Sequence, residues 1–114
     1  MNFREVDPKC VADGIINIGK QCKWHGVKDI IISSVLIKRD LDVSTVIRQV
    51  NTILKELCVS NNFHFISNDC IGNEFLWKDG IHLIDNGIHM LAGNFVDHLN
   101  NYVLNINSVN SKDF

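Results

Sequence analysis

The sequence predicts an α/β fold whose strands run parallel. Two observations carry this. Segments of helical periodicity alternate with short β-branched or aromatic runs, in the order helix, strand, helix, strand, helix. The longer run, residues 30–36, is continuous and β-branched rather than strictly alternating, which suits a parallel strand covered on both faces.

The elements follow in chain order. Asp7-Pro8 opens a helix: aspartate is a strong N-cap, and proline is tolerated at the first helical position because its missing N–H has no partner there. Val11, Ile15, Ile18 and Cys22 recur at helical spacing and predict the buried face. Gly26 fits the left-handed position after the last turn. Residues 30–36 are the first strand and 38–42 a turn. A second helix starts near Ser44, with a stripe of Val46, Val50, Ile53 and Leu57 widened by Ile47 and Leu54. It ends around Ser60-Asn61-Asn62. Residues 63–67 read as a short strand, with His64 on the opposite sheet face from Phe63 and Phe65. Residues 68–83 are irregular. The last helix spans 85–103, with Asp85 near its cap and a stripe of Ile88, Leu91, Ala92, Phe95, Leu99 and Tyr102. Residues 105–114 form a polar tail expected to fray.

A chain of 114 residues holds one domain at most. Its 46% hydrophobic and 21% charged residues exclude a disordered chain. With a formal charge of −2 and a pI near 6.2, no general basic face for nucleic acid is expected, and Lys38-Arg39 is too short a patch to supply one. No apolar run reaches the roughly 18 residues of a membrane span. The first residues contain no apolar h-region, so no secretory signal is expected. Cys10, Cys22, Cys58 and Cys70 contain no Cys-x-x-Cys pair and read as buried, reduced thiols of a cytoplasmic protein. No cofactor is implied.

The segment that carries chemistry is residues 78–92. It follows a strand and precedes a helix, and ligands of open parallel sheets bind at such strand ends. Asp79 and His82 are three apart, so one turn can set carboxylate beside imidazole. A carboxylate on one ring nitrogen fixes the tautomer and leaves the other free as a general base. Spacing alone equally allows two solvated polar residues in a turn. His82, Asp85 and His89 allow a metal cluster, or an exposed polar face at a helix start. His64 reads as a packed histidine, and Trp77 as a pocket wall or a lid-packing residue.

The string Asp79-Gly80-Ile81-His82-Leu83, then Gly87, then Leu91-Ala92 and an amphipathic helix resembles the closing block of SGNH (GDSL-type) hydrolases. The resemblance covers residues 11–100. It is close to the SGNH-like domains in reading frames of invertebrate retrotransposons. It implies a partial three-layer α/β/α, flavodoxin-like fold, with residues 1–104 as the C-terminal segment of such a domain and 105–114 as its tail. It also implies ester hydrolysis, in which a serine attacks the carbonyl. His82 would carry the serine proton to the leaving group, and Asp79 would orient His82 and stabilise its charged form.

The chain departs from the family elsewhere. It has no Gly-Asp-Ser block near its start and no Gly-x-Asn-Asp block; Ser67-Asn68-Asp69 stands in the wrong order, and Ser33-Ser34 lies outside any nucleophile block. Nucleophile and oxyanion donors are therefore missing. Two functions follow as expectations. One is an esterase segment, inactive alone, whose partner is a small ester. The other is a non-catalytic binding or assembly module on the same fold. Self-association through an open sheet edge is expected of either.

Overall fold

The structure, a computed structural model, describes residues 6–112, with side chains through residue 102. It is mixed α/β: three helices and a two-stranded parallel sheet. Helix α1 spans Pro8–Trp24, strand β1 Ile31–Ser33, helix α2 Leu41–Asn61, strand β2 His64–Ile66 and helix α3 Asp85–Lys112. A single 3-10 turn, Asn73–Phe75, interrupts the long connection before α3.

Local chemistry sets the ends of α1. The Asp7 carboxylate accepts from the Lys9 N–H at 3.0 Å, with Pro8 in the first turn. At the other end Gly26 takes φ +97°, its N–H donates to the Lys23 carbonyl, and the Val27 N–H reaches the Cys22 carbonyl. This is the Schellman exit, and glycine adopts the left-handed conformation without steric cost.

The face that α1 buries differs from the expected stripe. Ala12, Ile16 and Gly19 are buried, while Val11, Ile18 and Cys22 are exposed. The spacing is the same, turned by one residue. The reason is close approach: a Cβ on Gly19 would meet the Phe63 ring at 2.9 Å. Ala12 and Gly19 let α1 settle onto Phe63 and Ile30, Ile16 fills the same face, and Val11 and Ile18 turn outward. Together with Val50, Leu54 and Cys58 of α2, these residues form the core, against which Ile15, Ile32, Val46, Ile53, Leu57 and Phe65 pack.

Helix α2 starts three residues earlier than Ser44, at Leu41, because Asp40 caps it by accepting the Val43 N–H. Ser44 lies inside the first turn, where its hydroxyl donates to the Lys38 carbonyl. Asn62 closes the helix in the left-handed region, at φ 60°.

Both strands are shorter than their apolar runs. They pair in register Ile31 to His64, Ile32 to Phe65 and Ser33 to Ile66. One further bond joins the Ser34 N–H to the Ile66 carbonyl. Beyond it the Asn51 side chain takes over: its amide oxygen accepts from the Val35 N–H and its NH2 donates to the Val35 carbonyl, both at 2.8 Å. The backbone that would prolong β1 is thus bonded to a side chain.

Residues alternate across the sheet as expected. Phe63 and Phe65 join the core with α1 and α2, whereas His64 meets His98 and Tyr102 of α3 in edge-to-face contacts. The Tyr102 hydroxyl donates to Asp29 at 2.8 Å, which holds the Tyr102 phenol above its usual range. Helix α3 runs well past residue 103, since no Gly or Pro follows Gly93 to stop it. The expected frayed tail is helical through Lys112; residues 113–114 lie outside the described residues. Ile88, Phe95 and Leu99 of its predicted stripe are exposed, because α3 turns the Asn94, His98 and Tyr102 side to β2 and its surroundings. The cysteines also depart from expectation: Cys58 alone is buried, and Cys10, Cys22 and Cys70 are exposed and free. No helix among the described residues is long and apolar enough to cross a membrane.

The rotated face of α1 has a direct consequence. Ile16→Ala should lower unfolding free energy by about 3 kcal/mol, and Ile18→Ala by less than about 0.5 kcal/mol. Urea denaturation of both variants checks this. Equal losses would restore the stripe read from periodicity.

Candidate functional site

The Asp79–His82 loop is a closed turn built from the backbone outward. The Gly80 N–H donates to the Trp77 carbonyl, and the Trp77 N–H to the His82 carbonyl. An antiparallel bridge joins Leu76 to Leu83. Gly80 sits at φ +71°, and a Cβ there would meet the Arg39 Cβ at 2.7 Å, so both conformation and space require glycine.

Within this turn one carboxylate does two things. Asp79 Oδ1 accepts from the backbone N–H groups of Ile81 and His82, at 2.9 and 3.1 Å. That fixes the carboxylate plane. Asp79 Oδ2 then meets His82 Nδ1 at 2.5 Å. With the carboxylate ionised, the shared proton belongs to Nδ1, and Nε2 keeps its lone pair. The His82 side chain is 75% exposed and that of Asp79 44%, so the ring stands open to solvent. The His82 bond, followed by the two backbone bonds, holds the Asp79 carboxyl well below the usual carboxylate range. A depressed carboxylate contributes stability above its unfolded pKa, near 4, and that contribution is lost as pH falls through the lower folded value.

The loop is tied to the chain that leaves β1. Arg39 is the hub. Its backbone N–H donates to the Gly80 carbonyl at 3.0 Å, and its guanidinium donates to the carbonyls of Lys78 at 3.1 Å and Leu76 at 3.3 Å. Lys38 Nζ adds a bond to the Ile81 carbonyl at 3.2 Å. Asp79 and His82 are therefore held on the C-terminal side of β1, although 40 residues separate Asp79 from Arg39 in sequence. This role is not legible in the sequence, where Lys38-Arg39 reads as part of a turn and as a short basic patch. The available signal was Gly80 itself, since a glycine inside a polar turn marks close backbone approach.

A second polar cluster closes the strand ends. Asn68 is 4% exposed. Its N–H donates to Ser34 Oγ, its side-chain NH2 to Ser33 Oγ and the Ser34 carbonyl, and its Oδ1 accepts from Asn94. Ser33 and Ser34 are thus bonded into the fold through Asn68. Beside this cluster lies a polar cleft of about 790 Å³, walled by α2 and the segment after β2.

The remaining candidates are not brought together. His82, Asp85 and His89 form no metal-binding group, and no such group occurs among the described residues. Asp85 lies inside the first turn of α3, and the Ile84 carbonyl accepts the first helical N–H, from Ile88. His64 is packed, as expected, and Trp77 is exposed. No protein-family model matches the chain, and neither a curated protein nor a solved structure matches it.

If Arg39 holds the loop, Arg39→Ala should speed hydrogen exchange at the Ile81 and His82 amides by about tenfold or more, with the core amides of α2 unchanged. Exchange followed by NMR checks this. In the same experiment His82→Ala should raise the Asp79 titration midpoint toward the ordinary carboxylate value, but not fully, because the two backbone bonds remain.

Proposed function

We propose that this chain is an SGNH-hydrolase-like segment on a partial, flavodoxin-like α/β/α fold, and that it carries the Asp–His base of a serine esterase. One observation carries the reading: Asp79 binds His82 at Nδ1 and leaves Nε2 without a hydrogen-bond partner among the described residues, on an exposed ring held by a hydrogen-bonded turn. In that role His82 takes the proton of a serine hydroxyl as it attacks an ester carbonyl, then returns it to the leaving alkoxide. Asp79 fixes the tautomer and stabilises the imidazolium. In this reading the serine and the oxyanion donors are supplied by residues other than Ser33 and Ser34, whose hydroxyl oxygens accept from Asn68.

That last observation also favours a second reading. A fold whose strand-end serines serve packing suits a non-catalytic binding or assembly module, with the Asp79–His82 pair as a turn-stabilising feature.

One measurement tests the half-site, and a second separates the two readings. The chain alone should hydrolyse a p-nitrophenyl ester no faster than the Asp79→Ala, His82→Ala double variant, since nucleophile and oxyanion donors are both missing. Turnover well above that control would contradict the assignment of a half-site. Diethylpyrocarbonate should modify His82 at Nε2, and Asp79→Asn should slow that reaction several-fold, because the ring is no longer held with its proton on Nδ1. An unchanged rate would leave the turn-stabilising reading.

A further inference from the structure

Strand β1 is open along one side. In a parallel pair, alternate residues turn their backbone groups to the partner strand. The His64 N–H donates to the Ile30 carbonyl and the Ser34 N–H to the Ile66 carbonyl, so the groups of Ile32 between them face β2 and those of Ile31 and Ser33 face away. The outward N–H and carbonyl groups of Ile31 and Ser33 have no hydrogen-bond partner among the described residues. Val35 has the same parity, and there Asn51 bonds both the N–H and the carbonyl. The fold therefore closes this edge at Val35 and leaves two outward units, centred on Ile32. No proline or charged residue guards them within residues 30–36.

The apolar stripe of α3 lies on the same side. Asn94 reaches Asn68 and Cys70, in the chain after β2, whereas the Tyr102 hydroxyl reaches Asp29, in the chain before β1. These two residues lie about 80° apart around the helix. Ile88, Phe95 and Leu99 continue round from Tyr102, away from Asn94, and so stand exposed on the β1 side. Ile31 is exposed on this face as well, since it is in register with His64, which α3 covers. An open ladder and an apolar stripe are contiguous here, with no charged side chain in either.

We infer that this face joins two copies of the chain about a two-fold axis beside Ile32, β1 against β1 in antiparallel register. Ile31 of one copy then stands opposite Ser33 of the other. Each such pair exchanges two N–H to carbonyl bonds, and no outward group of either residue is left over. A longer strand from another protein would run on to Val35, whose groups Asn51 already holds, so the two-unit edge is matched best by itself. Residues directly opposite share a sheet face, which brings both copies of α3 to one face. With strands about 4.8 Å apart, helices seated over β2 lie within about 14 Å of each other, and their Phe95 and Leu99 side chains enter the gap over Ile31. A marginal two-stranded sheet becomes a four-stranded one, and three or more strands are what a stable sheet needs. The pairing does not rest on the hydrolase reading.

Sedimentation velocity and amide hydrogen exchange on the full chain test this. The chain should pass from monomer to dimer between micromolar and millimolar concentration, as suits a small interface. Over that range exchange of the Ile31 and Ser33 amides should slow about tenfold or more, and by more than that of the Ile32 amide, which already bonds β2. Ile31→Lys and Leu99→Asp should each weaken association about tenfold or more. Ile18→Lys, at an exposed isoleucine of α1, should leave it within about a factor of two, which separates this face from general hydrophobic adhesion. If Ile31→Lys fails to fold, Leu99→Asp, on the exposed side of α3, decides. A chain that stays monomeric at millimolar concentration, a dimer indifferent to both substitutions, equal weakening by Ile18→Lys, or Ile31 and Ser33 amides that exchange as in the monomer would each overturn the inference. So would open-ended assembly, because a two-fold pairing closes at two copies.

Discussion

Two strands of three residues leave much of their backbone without a neighbouring strand, and side chains satisfy what the sheet does not. Asn51 bonds both the N–H and the carbonyl of Val35. Asn68 bonds the Ser34 carbonyl and both serine hydroxyls. Arg39 carries the loop that follows β2. Buried backbone groups that find no partner cost as much as a lost hydrogen bond, so each of these residues is worth more than its own contact. The rest of the molecule is arranged around them. α2 must be close enough to deliver Asn51, α3 close enough for Asn94 to reach Asn68, and the Asp79 turn close enough for Arg39.

The same arrangement explains why the Asp79–His82 pair can be rigid although exposed. Exposed ion pairs contribute little to stability, because water screens them and side-chain entropy opposes them. Here the entropy is removed by other means. Two amides fix the carboxylate, a positive-φ glycine shapes the turn, and the guanidinium of Arg39 anchors its backbone. In the proposed hydrolase role, a base held this way would need little reorganisation on accepting a proton, which is the physical value of preorganisation in catalysis.

Much of this was legible in the sequence, for reasons that differ by element. The caps of α1 at Asp7-Pro8 and Gly26 follow from local chemistry. So does the end of α2 in the Ser60-Asn61-Asn62 run, where the structure adds the left-handed close at Asn62. The parallel pairing of β1 with β2 and the alternation of His64 against its phenylalanine neighbours follow from element order and the two-residue period. The Asp79–His82 contact was readable because three residues of a turn suffice to form it. The buried face of α1 was misread, because hydrophobicity favours Val11 and Ile18 while close packing selected Ala12, Ile16 and Gly19. The exposed stripe of α3 was misread for a related reason, since periodicity identifies an apolar face without showing what covers it. Asn51, Asn68 and Arg39 act across 16 to 39 residues of sequence, and no local pattern reports such bonds.

The central claim is that Asp79 fixes His82 as a base with a free Nε2. Nitrogen-15 NMR of the histidine rings at pH 8 tests it most directly. The geometry predicts that His82 carries its proton on Nδ1, with a downfield, slowly exchanging Hδ1, and that Asp79→Ala shifts the ring toward the Nε2–H tautomer common in free histidine. A wild-type His82 that already carries its proton on Nε2, or averages between tautomers as in a free side chain, would contradict the account.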